Sequence, residues 1–138
     1  MRRTSLTLML IVALAGCGQH SRKAGNTTEE TIIDSTIVSV YYFHGKARCK
    51  TCIAVGDVAK ATVEKSFEGN SKVRFIEINT SVKGNEALIE KYEVTWNALI
   101  IARGNNNIEI TKQAFSTALE NPQSLENLIK EEVNKRLQ

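Results

Sequence analysis

Cys49-Lys50-Thr51-Cys52 stands between a run of β type and a run of helical type, an order few folds require. Residues 37–43 (IVSVYYF) are β-branched and aromatic, as a buried strand needs. The chain then breaks at His44-Gly45-Lys46-Ala47. From Cys52 onward, Val55, Ala59, Thr62/Val63 and Phe67 recur at helical spacing. The dithiol therefore falls on a strand-to-helix turn, with Cys49 at the helix start. Unpaired N–H groups and the positive end of the helix dipole stabilise a thiolate there. Arg48 and Lys50 flank Cys49 and add positive charge, which lowers a thiol pKa further. Cys52 comes one turn on and is expected to be more enclosed. That arrangement divides the labour: Cys49 attacks a partner disulfide, and Cys52 resolves the mixed disulfide.

Other uses of two cysteines compete with this one. A structural disulfide across two residues closes a very small loop and constrains the unfolded chain little. A structural zinc site takes about four ligands. Beyond the leader the chain offers two thiols and His44 nearby, with no second cysteine pair. A soft metal or metalloid held by Cys49 and Cys52, shared between two chains if necessary, stays open as the alternative function.

The remaining elements follow from spacing. Gly69-Asn70 stops the first helix. Residues 73–78 (VRFIEI) read as a second strand and residues 85–92 (NEALIEKY) as a short helix. Residues 98–102 (ALIIA) are continuously apolar, hence a central strand covered on both faces. Residues 104–107 (GNNN) form a turn, after which residues 108–111 pair back as a hairpin strand. Asn121-Pro122 places a cap before a first-turn proline. The helix that follows has an apolar stripe of Leu125, Leu128, Ile129, Val133 and Leu137, with Lys135 and Arg136 expected outside it. A crossover helix makes the first two strands parallel, and the hairpin makes the last two antiparallel. The expected class is α/β: a thioredoxin-like three-layer sandwich, a central mixed sheet flanked by helices.

Residues 1–17 read as an export leader. Arg2 and Arg3 give a positive start, and the apolar stretch that follows is shorter than the ~20 residues of a membrane span. Leu14-Ala15-Gly16-Cys17 resembles the bacterial lipobox, which makes Cys17 the lipidated residue and accounts for the odd third cysteine. The expected location is the bacterial cell envelope, lipid-anchored through Cys17. Gly18 in place of Asp favours the outer membrane, with the periplasmic or surface face open. Residues 18–36 read as a polar tether and 37–138 as the domain. Without the leader there are sixteen basic against fifteen acidic residues, too even a balance to mark a nucleic-acid partner.

Tyr41-Tyr42-Phe43-His44-Gly45-Lys46, Arg48-Cys49, Thr51-Cys52 and Lys91-Tyr92-Glu93-Val94-Thr95-Trp96 together resemble a family of small exported thioredoxin-like proteins. That family is described as a subunit of a nitrophenyl-compound nitroreductase and is associated with aromatic-arsenical resistance clusters. The resemblance implies a thiol–disulfide oxidoreductase or electron relay supporting reduction of nitroaromatic or arsenical compounds. A membrane thiol–disulfide carrier or an oxidised protein substrate is the implied partner. No cofactor beyond the Cys49–Cys52 disulfide is expected, since no GxGxxG follows a strand. The resemblance places Ala98 where thioredoxins carry a cis-proline facing the dithiol; a non-proline cis bond costs ~3 kcal/mol, so a trans loop is expected. It places Phe43 where thioredoxins bury an acid. His44 either replaces that acid or lies exposed in the loop. Trp96 either roofs the dithiol or fills the core, the core being favoured. A third reading is a scaffold with vestigial cysteines.

Overall fold

The computed structural model describes residues 35–138. The leader, Cys17, His20 and all of the tether before Ser35 lie outside the described residues. The elements run β1 (Val38–His44), α1 (Lys50–Ser66), β2 (Val73–Asn79), α2 (Glu86–Lys91), β3 (Ala98–Arg103), β4 (Asn106–Glu109), α3 (Thr111–Thr117) and α4 (Pro122–Leu137).

One mixed sheet has the order β2-β1-β3-β4. β1 pairs in parallel with β2, Tyr42 opposite Glu77 and His44 opposite Asn79. It pairs antiparallel with β3, Phe43 opposite Ala98. The two interior strands are buried along almost their whole length, as their largely apolar runs require. Side-chain alternation splits the core in two. Val38, Val40, Tyr42, Leu99 and Ile101 pack with Val55, Ala59 and Val63 of α1, Ala114 of α3, and Leu125, Ile129 and Val133 of α4. Tyr41, Phe43, Ala98, Ile100 and Ala102 face the other way, with Ile78 of β2 and onto Leu88 of α2. This is a thioredoxin-like α/β sandwich, with the four-stranded mixed sheet between helices.

Caps and turns follow local chemistry. Asn121 accepts from the Ser124 N–H at 3.2 Å and Pro122 opens α4. Arg103 pairs with Asn106, so Gly104-Asn105 is a two-residue hairpin turn, and Gly104 has φ 59°. Positive φ at the first turn position is what the primed turns of twisted hairpins need.

Four expectations require correction. The hairpin strand is 106–109, not 108–111, and Thr111 opens a helix that alternation did not show. That helix is anchored by Ile110, Ala114 and Ala118, which are all buried. Two of these side chains are small, so the stripe is weak in sequence, and no side chain caps its start. Arg136 is 7% exposed, not outside the α4 stripe. Its Nη1 donates to the Glu132 carboxylate at 2.7 Å, so each charge makes the other's burial tolerable. Arg103 Nη1 also donates to the Arg136 carbonyl at 2.7 Å, drawing the end of α4 onto β3. His44 ends β1 and is buried, which removes the exposed-loop reading. Trp96 is 82% exposed and so cannot fill the core.

Candidate functional site: the Cys49–Cys52 turn

Cys49 is the N-cap of α1, with extended backbone (φ −76°, ψ 166°). Its Sγ accepts the Cys52 N–H at 3.1 Å, so the sulfur occupies the place where a capping oxygen sits in other helices. The sulfur thus sits at the N-terminal end of a 17-residue helix, where the orphan N–H groups and the positive dipole end favour an anion. Cys49 is exposed, whereas Cys52 is 5% exposed on the inner side of the first turn. The two are joined as a disulfide, with Cα atoms 5.0 Å apart. Lys50 is exposed at the first helical position and Thr51 is half-buried behind it.

The turn is braced from the sheet. The Tyr42 hydroxyl donates to the Cys52 carbonyl at 2.6 Å, a bond from the fully buried centre of β1 to the first turn of α1. Burial raises the Tyr42 pKa, opposed by the nearby Arg48 guanidinium, so the phenol keeps the proton this bond uses. Arg48 does not extend toward solvent beside Cys49. Its guanidinium lies 5.4 Å from the Tyr42 ring centroid, and its Nη1 meets Glu77 Oε1 at 2.8 Å. His44 Nε2 reaches the same Glu77 oxygen at 3.3 Å, and its Nδ1 lies 2.8 Å from the Gly45 carbonyl oxygen. Glu77 thus gathers Arg48 and His44, and balances part of the positive charge that Arg48 brings to the turn.

Gly56 makes this packing possible. A Cβ there would stand 2.7 Å from Arg48 Nη2 and 2.8 Å from Tyr42 Cε1. Only a residue without a side chain lets the ring and the guanidinium lie against the helix at that level.

On the far side, Asn97 precedes β3 and its Nδ2 lies 3.8 Å from Cys52 Sγ. Ala98, next in the chain, is buried against Phe43 at the first β3 pair. No cis peptide bond occurs among the described residues. Phe43 is fully buried with the Tyr41 and Tyr92 rings on the α2 face, an apolar setting. Trp96 stands in solvent one residue from Asn97.

The structure thus draws Cys49, Cys52, Arg48 and His44 to one end of the sheet, with Lys50 and Thr51 on the turn itself. Ala98 lies at the same end as the start of β3. Tyr42, Gly56, Glu77 and Asn97 belong to the site without having been singled out in the sequence. Glu77 had a partial signal, as a charge inside the apolar stretch 75–78, but its place at the level of Tyr42 comes from the parallel register. Gly56 also had one, as a glycine inside an otherwise unbroken helical pattern. Asn97 had none.

Among the described residues no group of three or more His, Cys, Asp and Glu side chains is placed to hold a metal ion. The arrangement offers one accessible sulfur at a helix start, one enclosed sulfur beside it and a rigid frame. A pair of this kind can make and break a disulfide bond.

No family model and no curated protein matches the chain. Among solved structures, a chain described as "Structure of a malarial protein" is similar at 18% identity and a TM-score of 0.48, over 70% of this chain and 98% of its own.

Proposed function

We propose that the protein is a thiol–disulfide oxidoreductase or electron relay of the bacterial cell envelope, working through Cys49 and Cys52. The observation that carries this reading is the exposed Cys49 at the N-cap of α1, its sulfur bonded to that of a buried Cys52. In the reducing direction the Cys49 thiolate attacks one sulfur of a partner disulfide. The partner S–S bond breaks, a Cys49–partner bond forms, and the released sulfur leaves as a thiolate that takes up a proton. Cys52 then loses its proton and attacks Cys49 Sγ. The mixed bond breaks, the partner's second sulfur leaves and is protonated, and the internal disulfide closes. Two electrons and two protons pass to the partner. A membrane thiol–disulfide carrier would restore the dithiol by the same steps in reverse.

The lipobox-like Leu14-Ala15-Gly16-Cys17 supports a lipid anchor through Cys17, with the outer membrane favoured by Gly18. The resemblance carried by the 41–52 and 91–96 strings supports a role in reducing nitroaromatic or arsenical compounds, with this chain relaying electrons rather than performing the nitro chemistry.

Partner trapping in the native envelope tests the reading. Cys52→Ser is expected to accumulate a mixed disulfide that reductant releases and that the Cys49→Ser/Cys52→Ser double variant does not form. If Cys52→Ser forms no such adduct under conditions where the wild type cycles, the reading fails.

A further inference from the structure

Cys52 is the sulfur that closes the cycle, and its surroundings disfavour the thiolate it must become. It is 5% exposed, and burial in apolar surroundings raises a thiol pKa. The ionisable groups around the turn are already engaged. The Tyr42 hydroxyl is spent on the Cys52 carbonyl, and Arg48 and His44 are held by Glu77. Lys50 and Asp57 of α1 are exposed. Phe43 faces α2, on the side of the sheet away from α1, and presents no acid to the dithiol. One polar group does address the sulfur: Asn97 Nδ2, at 3.8 Å.

We infer that Asn97 serves the resolving step, its side-chain amide donating to Cys52 Sγ and stabilising that sulfur as the anion that attacks Cys49. The geometry suits this use. Asn97 is half-buried and immediately precedes Ala98, whose backbone is locked into the sheet opposite Phe43. The amide is therefore presented to the dithiol from the residue next to an interior strand. A neutral disulfide sulfur is a weak acceptor, and a thiolate is a strong one. The same contact is thus worth more after the proton has left Cys52 than before. Asn97 cannot accept that proton, which goes to water or to the departing partner thiolate. The inference rests on the dithiol reading and adds to it a third residue that touches a reacting atom.

Reduced protein and an aromatic nitrobenzoate disulfide separate the two steps, because each releases one coloured thiolate. The full chain is used in a Cys17→Ala background, leaving two thiols. Attack by Cys49 gives a first phase, and closure by Cys52 gives a second. Asn97→Leu is expected to leave the first phase unchanged and to raise the pH midpoint of the second by about one unit. That shift cuts the thiolate fraction tenfold, but the more basic thiolate is the better nucleophile, so the net slowing at neutral pH is about three- to fourfold. Asn97→Gln keeps the N–H donors and should recover part of the rate and most of the pH profile. A normal first phase with an unaltered second phase in Asn97→Leu would overturn the inference, as would equal shifts in Leu and Gln, which would assign the effect to packing. Absence of the first phase in the parent protein would instead defeat the oxidoreductase reading itself.

Discussion

Replacing Gly56 by alanine should destabilise this protein, although glycine-to-alanine changes inside helices ordinarily do the opposite. The helix term favours alanine by roughly 0.8–1 kcal/mol. Against it, the new Cβ would stand 2.8 and 3.0 Å from Tyr42 Cε1 and Cδ1, where carbon pairs rest at ~3.5–4.0 Å. The ring cannot yield cheaply. Tyr42 is fully buried, and its hydroxyl is tied to the Cys52 carbonyl. Overpacking of this kind costs about 1–3 kcal/mol. Arg48 Nη2, at 2.7 Å, is the end of a flexible side chain and can move, giving up a half-exposed ion pair with Glu77 worth at most ~1 kcal/mol. The sum lies between about 0 and 3 kcal/mol of net loss, centred near 1–2 kcal/mol because the pinned ring keeps the overpacking cost above its minimum. For a domain of this size that lowers Tm by roughly 5–10 °C. Thermal and urea unfolding of the oxidised protein measure it, with the urea slope expected to stay unchanged. In an Arg48→Ala background the penalty should shrink but persist, because the ring contact remains. A Gly56→Ala protein as stable as the wild type, or more so, would refute the close packing of Tyr42 and Arg48 on α1.

Other perturbations have equally definite signs. Glu93 holds φ 52° just after α2, where its N–H bonds the Glu90 carbonyl and the Val94 N–H bonds the Ile89 carbonyl. Glycine suits that helix-ending conformation better, so Glu93→Gly should raise the unfolding free energy by about 0.5–1 kcal/mol in urea titrations. Glu132 has its pKa lowered by hydrogen bonds from Lys135 and Arg136, opposed by burial. A depressed carboxyl pKa stabilises the fold above the ordinary value of 4.5, and that stability is lost as pH falls through the folded-state value. Glu132→Gln should therefore cost about 2 kcal/mol at neutral pH, and the gap from wild type should narrow below pH 4.5. Tyr92 has its pKa pushed up to about 12, chiefly by burial, so the neutral phenol belongs to the folded state. Stability should fall as pH rises from 10 toward 12, and Tyr92→Phe should lessen that fall in alkaline melts, the remainder belonging to Tyr42.

Much of the architecture was legible because one physical signal dominated each segment. Residues 38–44 and 98–103 are interior strands and show as β-branched, aromatic and apolar runs, broken only by Ser39 and by the polar ends His44 and Arg103. α1 and α4 each bury one face and show as 3.6-residue periodicity. The helix at 111–117 was hidden because its buried position, Ala114, and the buried residue that closes it, Ala118, are alanines, which carry little hydrophobic contrast. Arg136 and Trp96 reversed their usual preferences for reasons no local window contains. Arg136 is buried because Glu132 lies one turn back and the β3 end, through Arg103, lies across from it. Trp96 is left outside because the chain between α2 and β3 passes the dithiol end of the sheet rather than its core. The same holds for the site. The dithiol was visible as a spacing, but Tyr42, Glu77 and Asn97 meet it only through the register of three strands.

The whole account turns on whether α1 holds the Cys49 sulfur ionised and within reach of solvent. The direct measurement is the rate of alkylation of Cys49 against pH in the reduced Cys52→Ser protein, with modification located by peptide mass. The account predicts a midpoint well below the ordinary thiol value of ~8.5 and rapid reaction at neutral pH. A midpoint at or above that value, or a sulfur that reacts only when the protein is unfolded, would contradict it.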